Sequence, residues 1–247
     1  MDNKRVRRVV FCLLSLVVLL GLCACGDKAP AVGNGQGDTG NSDASAPQEP
    51  ITIGTVRYTV ERHDYSIVED DREFSIYFDA PIFSGEARIM DKVNADIAAL
   101  DATYREEMVP RCEEEKASLL ANDFPYDGDY SYAPYHLESV FCDENYLSIG
   151  WSQFWFAGGV SNDVYDALNY DLSTMEPLTV YVVLGDRAKE YIGKALAEII
   201  PDNTPLLDDN AMENLHFYFD DENVYVCFDS YALHQGYWGL VLTIPRA

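Results

Sequence analysis

Residues 139–179 read SVFCDENYLSIGWSQFWFAGGVSNDVYDALNYDLSTMEPLT. Apolar and polar residues alternate through this stretch, the period-2 signature of strands with one face buried. The alternation breaks at Asp143-Glu144-Asn145 and again at Gly158-Gly159. Both are turn chemistries: Asp and Asn bond their own backbone, and Gly supplies positive φ. The spacing predicts a β-meander of His136–Cys142, Tyr146–Phe156 and Asp163–Leu172, carrying two of the three Trp of the chain.

Outward from this meander the pattern stays mixed. Ile51–Val68 and Glu73–Asp79 alternate and predict strands around an Asp70-Asp71-Arg72 turn, with Ala80–Gly85 leaving the sheet. Across Glu86–Asn122, Ile89, Val93, Ile97, Leu100, Tyr104 and Met108 recur at steps of three and four, one apolar helical face. Pro110 is expected to kink or split that helix. Leu178–Val183 reads as a short strand. Asp186–Ile200 reads as a second helix capped by Asp186 and stopped by Pro201. Asp209–Leu215 suggests one helical turn. His216–Asp220 and Val224–Asp229 form a hairpin, and Tyr237–Ile244 is the last strand. The expected class is α+β: an antiparallel β-sheet packed by two main helices. Phe141-Cys142-Asp143-Glu144-Asn145-Tyr146 is echoed by Phe219-Asp220-Asp221-Glu222-Asn223-Val224, which predicts a shared turn chemistry rather than a repeat.

Of the 247 residues, 48% are apolar and 13% aromatic, enough for a buried core, and the net charge is −25. Residues 1–24 carry +3 of that, leaving −28 on the remainder. Such a chain lacks the basic footprint that nucleic acid requires and favours cationic partners. The amino end reads as an address. Met1–Arg8 is basic, and Val9–Leu22 is an apolar run too short to span a membrane but of signal-peptide length. The run ends in Leu22-Cys23-Ala24-Cys25, which resembles the lipobox of bacterial lipoproteins. That resemblance implies a signal peptide over residues 1–24 and a lipid on Cys25, holding the chain to the membrane through buried methylenes worth ~0.8 kcal/mol each. It places the protein outside the cytoplasm, lipid-anchored to the bacterial cell membrane. Residues 25–50 are rich in Gly, Ser, Ala, Pro and Asn and read as a disordered tether.

Once Cys12 and Cys23 leave with the signal and Cys25 is lipidated, Cys112, Cys142 and Cys227 remain. An odd count leaves one unpaired. Cys142 and Cys227 fall in predicted strands and read as buried small hydrophobes, with a disulfide between them as the alternative. No Cys/His spacing suggests zinc, and Asp123, Asp127 and Asp129 fail the EF-hand pattern. No metal ligand or cofactor is assigned. His63, His136, His216 and His234 are isolated in sequence, no serine sits in a nucleophile elbow, and no phosphate loop is present. No catalytic residue is assigned, although His136, His216 and an Asp from distant segments can converge in a fold.

For recognition, Trp151 and Trp155 share one strand face while Phe154 and Phe156 share the other. One pair is expected in the core, and the other is a candidate aromatic platform. Trp151 and Trp155, with Tyr126 and Tyr130 from the acidic Tyr-rich loop, are the candidate ligand-binding residues.

Pro81-Ile82-Phe83-Ser84-Gly85 followed by Val93-Asn94 resembles the PdaC-type N-terminal domain of unknown function. Asn169-Tyr170-Asp171-Leu172, Pro177-Leu178-Thr179, Phe228-Asp229-Ser230-Tyr231 and Ile244-Pro245 resemble the RsiV-type C-terminal domain. The resemblance implies a division at 51–135 and 136–247. It covers extracytoplasmic proteins, among them a lysozyme-binding anti-sigma factor ectodomain. This chain departs from the pattern. Ser161 stands where His often follows the Gly-Gly turn, and the usual Gly after the Asp-Leu strand is replaced near Met175-Glu176. The expected function is therefore non-catalytic binding or sensing at the cell envelope, of a cationic protein such as lysozyme or of wall glycan. The alternatives are a peptidoglycan-active hydrolase or deacetylase and a structural envelope lipoprotein without ligand.

Overall fold

The computed structural model describes residues 50–246 apart from 54–55, 70–71, 86, 122–129, 132, 158–159, 201–206 and 234–238. The signal, Cys25, the tether, Tyr126, His234 and the Gly158-Gly159 turn lie outside the described residues, as does the side chain of Tyr130.

The chain runs β1 (Ile51–Ile53), β2 (Val56–Asp64), β3 (Ile67–Glu69), β4 (Arg72–Ser75), β5 (Tyr77–Ser84), α1 (Ala87–Ala121), β6 (Tyr130–Ser131), β7 (Tyr135–Cys142), β8 (Tyr146–Ala157) and β9 (Val160–Asp171). It continues with α2 (Val180–Leu184), α3 (Ala188–Ile199), α4 (Asp209–Glu213), β10 (His216–Phe219), β11 (Asn223–Phe228) and β12 (Leu240–Pro245). The class is α+β. A six-stranded sheet has the order β1-β2-β5-β7-β8-β9, a second has β10-β11-β12, and β3-β4-β6 form a small third one. The meander is the antiparallel series β7-β8-β9, and the pairing of β5 with β7 is parallel.

Two cores follow from the two long helices. Val93, Ile97, Tyr104, Met108 and Cys112 of α1 join Phe78, Ile149 and Trp151 of the six-stranded sheet. Ala188, Ile192 and Leu196 of α3 join Phe217, Phe219, Val226 and Leu242 of the second sheet. Alternation along β8 aims its residues at different neighbours. Leu147, Ile149 and Trp151 belong to the first core. Ser148 meets the second sheet: its hydroxyl donates to Asn169 Oδ1 at 2.8 Å and accepts from the Phe219 amide at 2.9 Å. Asn169 Nδ2 donates to the Phe217 carbonyl at 2.6 Å. Gly150 lies on the same face, and a Cβ there would sit 2.4 Å from the Tyr218 ring. Only a residue without a side chain permits that approach.

Several elements differ from expectation. Ala80–Ser84 stays in β5, paired with β2, because Pro81 lies beyond the point where β5 touches β7 and its missing N–H costs no ladder bond there. Helix α1 runs unbroken across the exposed Pro110, since Tyr104, Met108 and Cys112 stay buried on both sides of it. The β-branched run after Thr179 is not a strand but helix α2, burying Val180, Val183 and Leu184 at helical spacing and ending at Gly185 with φ 72°. Arg187, not Asp186, occupies the cap position of α3, without a side-chain cap bond, while Asp208 caps α4 by accepting from the Ala211 amide at 2.8 Å. Met175 sits at φ 62°, a left-handed conformation that favours glycine.

The twin turns share their chemistry. Asp143 Oδ1 accepts from the amides of Asn145 and Tyr146, both at 2.7 Å. Asp220 Oδ1 accepts from Glu222 at 2.8 Å and Asn223 at 2.7 Å. Arg246 joins the two, donating to the Asp220 carbonyl at 2.9 Å and to Asp143 Oδ2 at 3.4 Å while its guanidinium lies 4.8 Å from the Phe219 ring centre.

Candidate functional site

The polar face of the meander forms the candidate site. Cross-strand register places Ser152 beside Tyr165 and Phe154 beside Asp163. A shallow groove of about 220 Å³ opens there, lined by Glu138, Ser152, Phe154, Asp163, Tyr165 and Tyr218. Phe154 is 41% exposed and forms an apolar rim. Glu138 Oε1 accepts a short hydrogen bond from the Ser152 hydroxyl. Asp163 is fixed by its surroundings: its Oδ2 accepts from the Gly239 amide at 3.1 Å, and its own amide donates to Ser230 Oγ at 2.8 Å. A Cβ on Gly239 would fall 2.4 Å from the Asp163 Cβ, so glycine is required for this contact. Asp229 Oδ1 accepts from the Tyr165 amide at 2.9 Å and adds a third carboxylate behind the groove.

The electrostatics of this face are negative. Burial, then the charges of Asp163 and other neighbours including Glu138 and Asp229, pushes the Tyr165 phenol up to about 12. Tyr218 rises further through burial, with Cys227 and Glu138 adding to it. Burial, then Asp229 and Glu138, raises the Cys227 thiol to about 12. Both phenols stay neutral at physiological pH; Tyr218 is buried with its ring stacked on Tyr225, so the half-buried Tyr165 and the exposed Phe154 supply the aromatic surface beside the carboxylates. That combination suits an ammonium or guanidinium group. The groove is smaller than the ~300–1,000 Å³ of ligand pockets and matches a single side chain.

Of the sequence-derived candidates, Tyr126 and the side chain of Tyr130 lie outside the described residues, and the structure places Trp151 and Trp155. Trp151 is fully buried; its ring stacks 6.0 Å from that of Phe78, and its indole N–H donates to the Asp79 carbonyl at 2.9 Å. It is a core residue and offers no surface to a ligand. Trp155 is partly buried against the same core, with the Arg111 guanidinium 5.7 Å from its ring centre. Trp151 and Trp155 share the face of β8 that packs on the first core. Among the described side chains of β8 the exposed aromatic is Phe154, and the Tyr165 and Tyr218 beside it come from strands whose proximity only the sheet stacking reveals. Cys112, Cys142 and Cys227 are buried and free, so the reading of Cys142 and Cys227 as small hydrophobes holds.

Three histidines are engaged in side-chain clusters. His63 Nδ1 meets Asp101 Oδ2 at 2.8 Å, and the Tyr65 hydroxyl donates to the same carboxylate. His216 Nδ1 contacts the Tyr165 carbonyl. Asp79, His136 and Ser152 fall in one row across β5, β7 and β8. Each of the three side chains has another partner. Asp79 and His136 are 3.7 Å apart, Asp79 is held by Arg62 at 2.8 and 3.0 Å, and Tyr77 bonds the His136 ring at 3.0 Å. The Ser152 hydroxyl donates to Glu138 rather than to His136, and a nucleophile needs its base within hydrogen-bond reach. Among the described residues no group of three or more His, Cys, Asp or Glu is placed to hold a metal ion, and no helix is long and apolar enough to cross a membrane.

Fold and groove together define an α+β protein with an acidic, aromatic face on a β-meander. Among solved structures it is similar to a member of the DUF3298 family from Bacteroides fragilis NCTC 9343, with a TM-score of 0.50 and 17% identity over 78% of this chain and 91% of that one. A DUF3298 family protein from Pseudomonas aeruginosa PAO1 aligns with a TM-score of 0.42 and 15% identity over 77% of this chain and 89% of that one. At 17% identity the first likeness is one of fold. No family model matches the sequence, and no curated protein matches it.

Proposed function

We propose that this chain is an extracytoplasmic lipoprotein, anchored through Cys25, whose folded part binds a cationic protein such as lysozyme without catalysis. The observation that carries the reading is the groove of Glu138, Asp163, Tyr165, Tyr218 and Phe154, set in a chain of net charge −25. Like charge over the whole surface steers a basic partner, and the groove gives one of its Lys or Arg side chains a place to dock. The lipobox-like residues and the resemblance to lysozyme-binding ectodomains support the location and the partner class. Binding of lysozyme to the full chain, measured across a salt series, tests the reading. Affinity that falls steeply with salt supports it, and no binding at low salt removes it. Release of product from peptidoglycan by the full chain is the result that would return the row of Asp79, His136 and Ser152 to consideration as a hydrolase.

A further inference from the structure

The second sheet advances along the β8–β9 hairpin strand by strand. At β10 the Phe219 amide meets Ser148, Tyr218 lies against Gly150, and the Phe217 carbonyl takes Asn169. Just past β11, Asp229 accepts from the Tyr165 amide. At β12 the contacts have moved on to Gly239 with Asp163, and to Val241 beside Ser152 and Phe154. The hairpin continues to Ala157 and Val160, but β12 is the last strand of the second sheet. Phe154 is left exposed at that step.

The outer edge of β12 is open. The Arg246 amide donates to the Glu222 carbonyl, so Ile244, Leu242 and Leu240 turn their N–H and C=O toward β11. Val241, Thr243 and Pro245 therefore turn theirs outward. Among the described residues nothing bonds the outward groups of Val241 or Thr243, and Thr243 and Pro245 are exposed. By contrast, Ser148 and Asn169 take up the outer edge of β10. Edge strands are commonly guarded by charge, and Leu240–Pro245 carries none.

The limits of this edge define what adds to it. The Gly239 amide is committed to Asp163, and Pro245 has no N–H. Between them stand the N–H and C=O of Val241 and of Thr243. In an antiparallel strand, two residues two positions apart satisfy all of these groups. A parallel strand would bring a residue opposite Ile244 whose carbonyl finds no donor at Pro245. Residues directly opposite each other share a face. The residue opposite Val241 thus aims its side chain into the groove, toward Glu138 and Asp163, with Phe154 at the rim. Those carboxylates select a cation, and the methylenes of Lys or Arg suit the Phe154 ring. A second copy of the chain would bring an uncharged strand to the carboxylates, and a net charge of −25 with it. We infer that the partner adds an extended segment antiparallel to β12, with a Lys or Arg opposite Val241 entering the groove. This rests on the reading of the groove as the dock of a cationic protein, and it specifies main-chain pairing as the second half of recognition.

The test titrates acetylated and amidated Thr-Val-Thr-Lys-Thr into the ¹⁵N-labelled full chain. Saturable shifts are expected at the Val241 and Thr243 amides. The Val and Lys amides of the peptide face β12, and that of the central Thr faces away. N-methylation of the Val or Lys amide is expected to weaken binding about tenfold or more, and N-methylation of the central Thr less than about twofold. Replacing the Lys by Glu is expected to weaken binding about tenfold as well. If all the methylated peptides bind alike, the strand pairing is overturned while the cationic reading of the groove stands. If the Lys and Glu peptides bind alike, the basic occupant is overturned together with that reading. Shifts of the Val241 and Thr243 amides with protein concentration alone would make a second copy the occupant, and no shift with any peptide would leave the edge without one; either result overturns the inference.

Discussion

Replacing Gly150 by Ala tests the stacking that builds the groove. The new Cβ would lie 2.4 Å from two atoms of the Tyr218 ring and 2.9 Å from its Cβ, against ordinary contact at 3.4 Å or more. Tyr218 has no simple retreat. It is buried, and its ring stacks on Tyr225 at 4.9 Å, so relief requires the second sheet to lift from β8. Overpacking of this kind costs about 1–3 kcal/mol. For a folded part of this size that corresponds to a fall in Tm of roughly 2–10 °C. Gly193→Ala is the matched control. Its Cβ meets nothing within 4 Å in the interior of α3, and replacing a helical glycine gains about 0.5–1 kcal/mol. Thermal unfolding of the full chain, followed by circular dichroism, should therefore move in opposite directions for the same added methyl group. A Gly150→Ala variant as stable as the parent would refute the close approach of β8 to Tyr218, and with it the groove.

The two partly buried aspartates give opposite pH dependences. Burial of Asp79 acts to raise its pKa, but the nearby His136 and the hydrogen bonds from Arg62 outweigh it and hold the carboxyl below its usual value. Its stabilisation is present above the unfolded pKa and is lost as pH falls through the folded one. Burial raises Asp166 despite the bond from Tyr135, so its charge opposes folding once pH exceeds the unfolded value. Denaturant titrations at pH 7 should find Asp79→Asn destabilised and Asp166→Asn equal to or more stable than the parent, with both differences shrinking in acid. Trp151→Ala should cost about 3–5 kcal/mol, because it empties a fully buried site and leaves the Asp79 carbonyl without its donor. Trp155→Ala should cost less in the same urea experiment, and equal losses would contradict their placement. Cys25→Ser should move the protein from the membrane to the soluble fraction on cell fractionation, whereas continued membrane residence of the variant counts against a lipid on Cys25.

The meander was legible because its alternation and turn residues are local. Asp143 and Asp220 bond the backbone two and three residues on, so their hairpins show in sequence, and the apolar face of α1 repeats at fixed steps. What was hidden depends on tertiary contact. The run after Thr179 carries β-branched residues at spacings that also suit one helical turn, and the sheet edge at Asn169 takes up Leu178 before a strand can continue. The two faces of β8 look alike in sequence, since each carries aromatics. Which is buried was decided by α1 covering Trp151 while the other face, with Ser148 and Gly150, meets the second sheet. Tyr165 and Tyr218 are 53 positions apart and become neighbours in the groove lining only through that stacking. Gly150 was the available signal: a glycine inside a strand marks a close approach.

We propose that the groove, and not the overall charge alone, recognises a cationic partner. Calorimetric titration of lysozyme into the full chain, its Glu138→Gln variant and its Glu213→Gln variant tests this most directly. Both substitutions change the net charge by one unit. Glu138 lines the groove, whereas the exposed Glu213 belongs to α4 and does not. Loss of a charged hydrogen-bond acceptor is expected to weaken binding about tenfold for Glu138→Gln and less than about twofold for Glu213→Gln. Equal effects of the two substitutions would contradict the claim and leave only a general attraction between opposite charges.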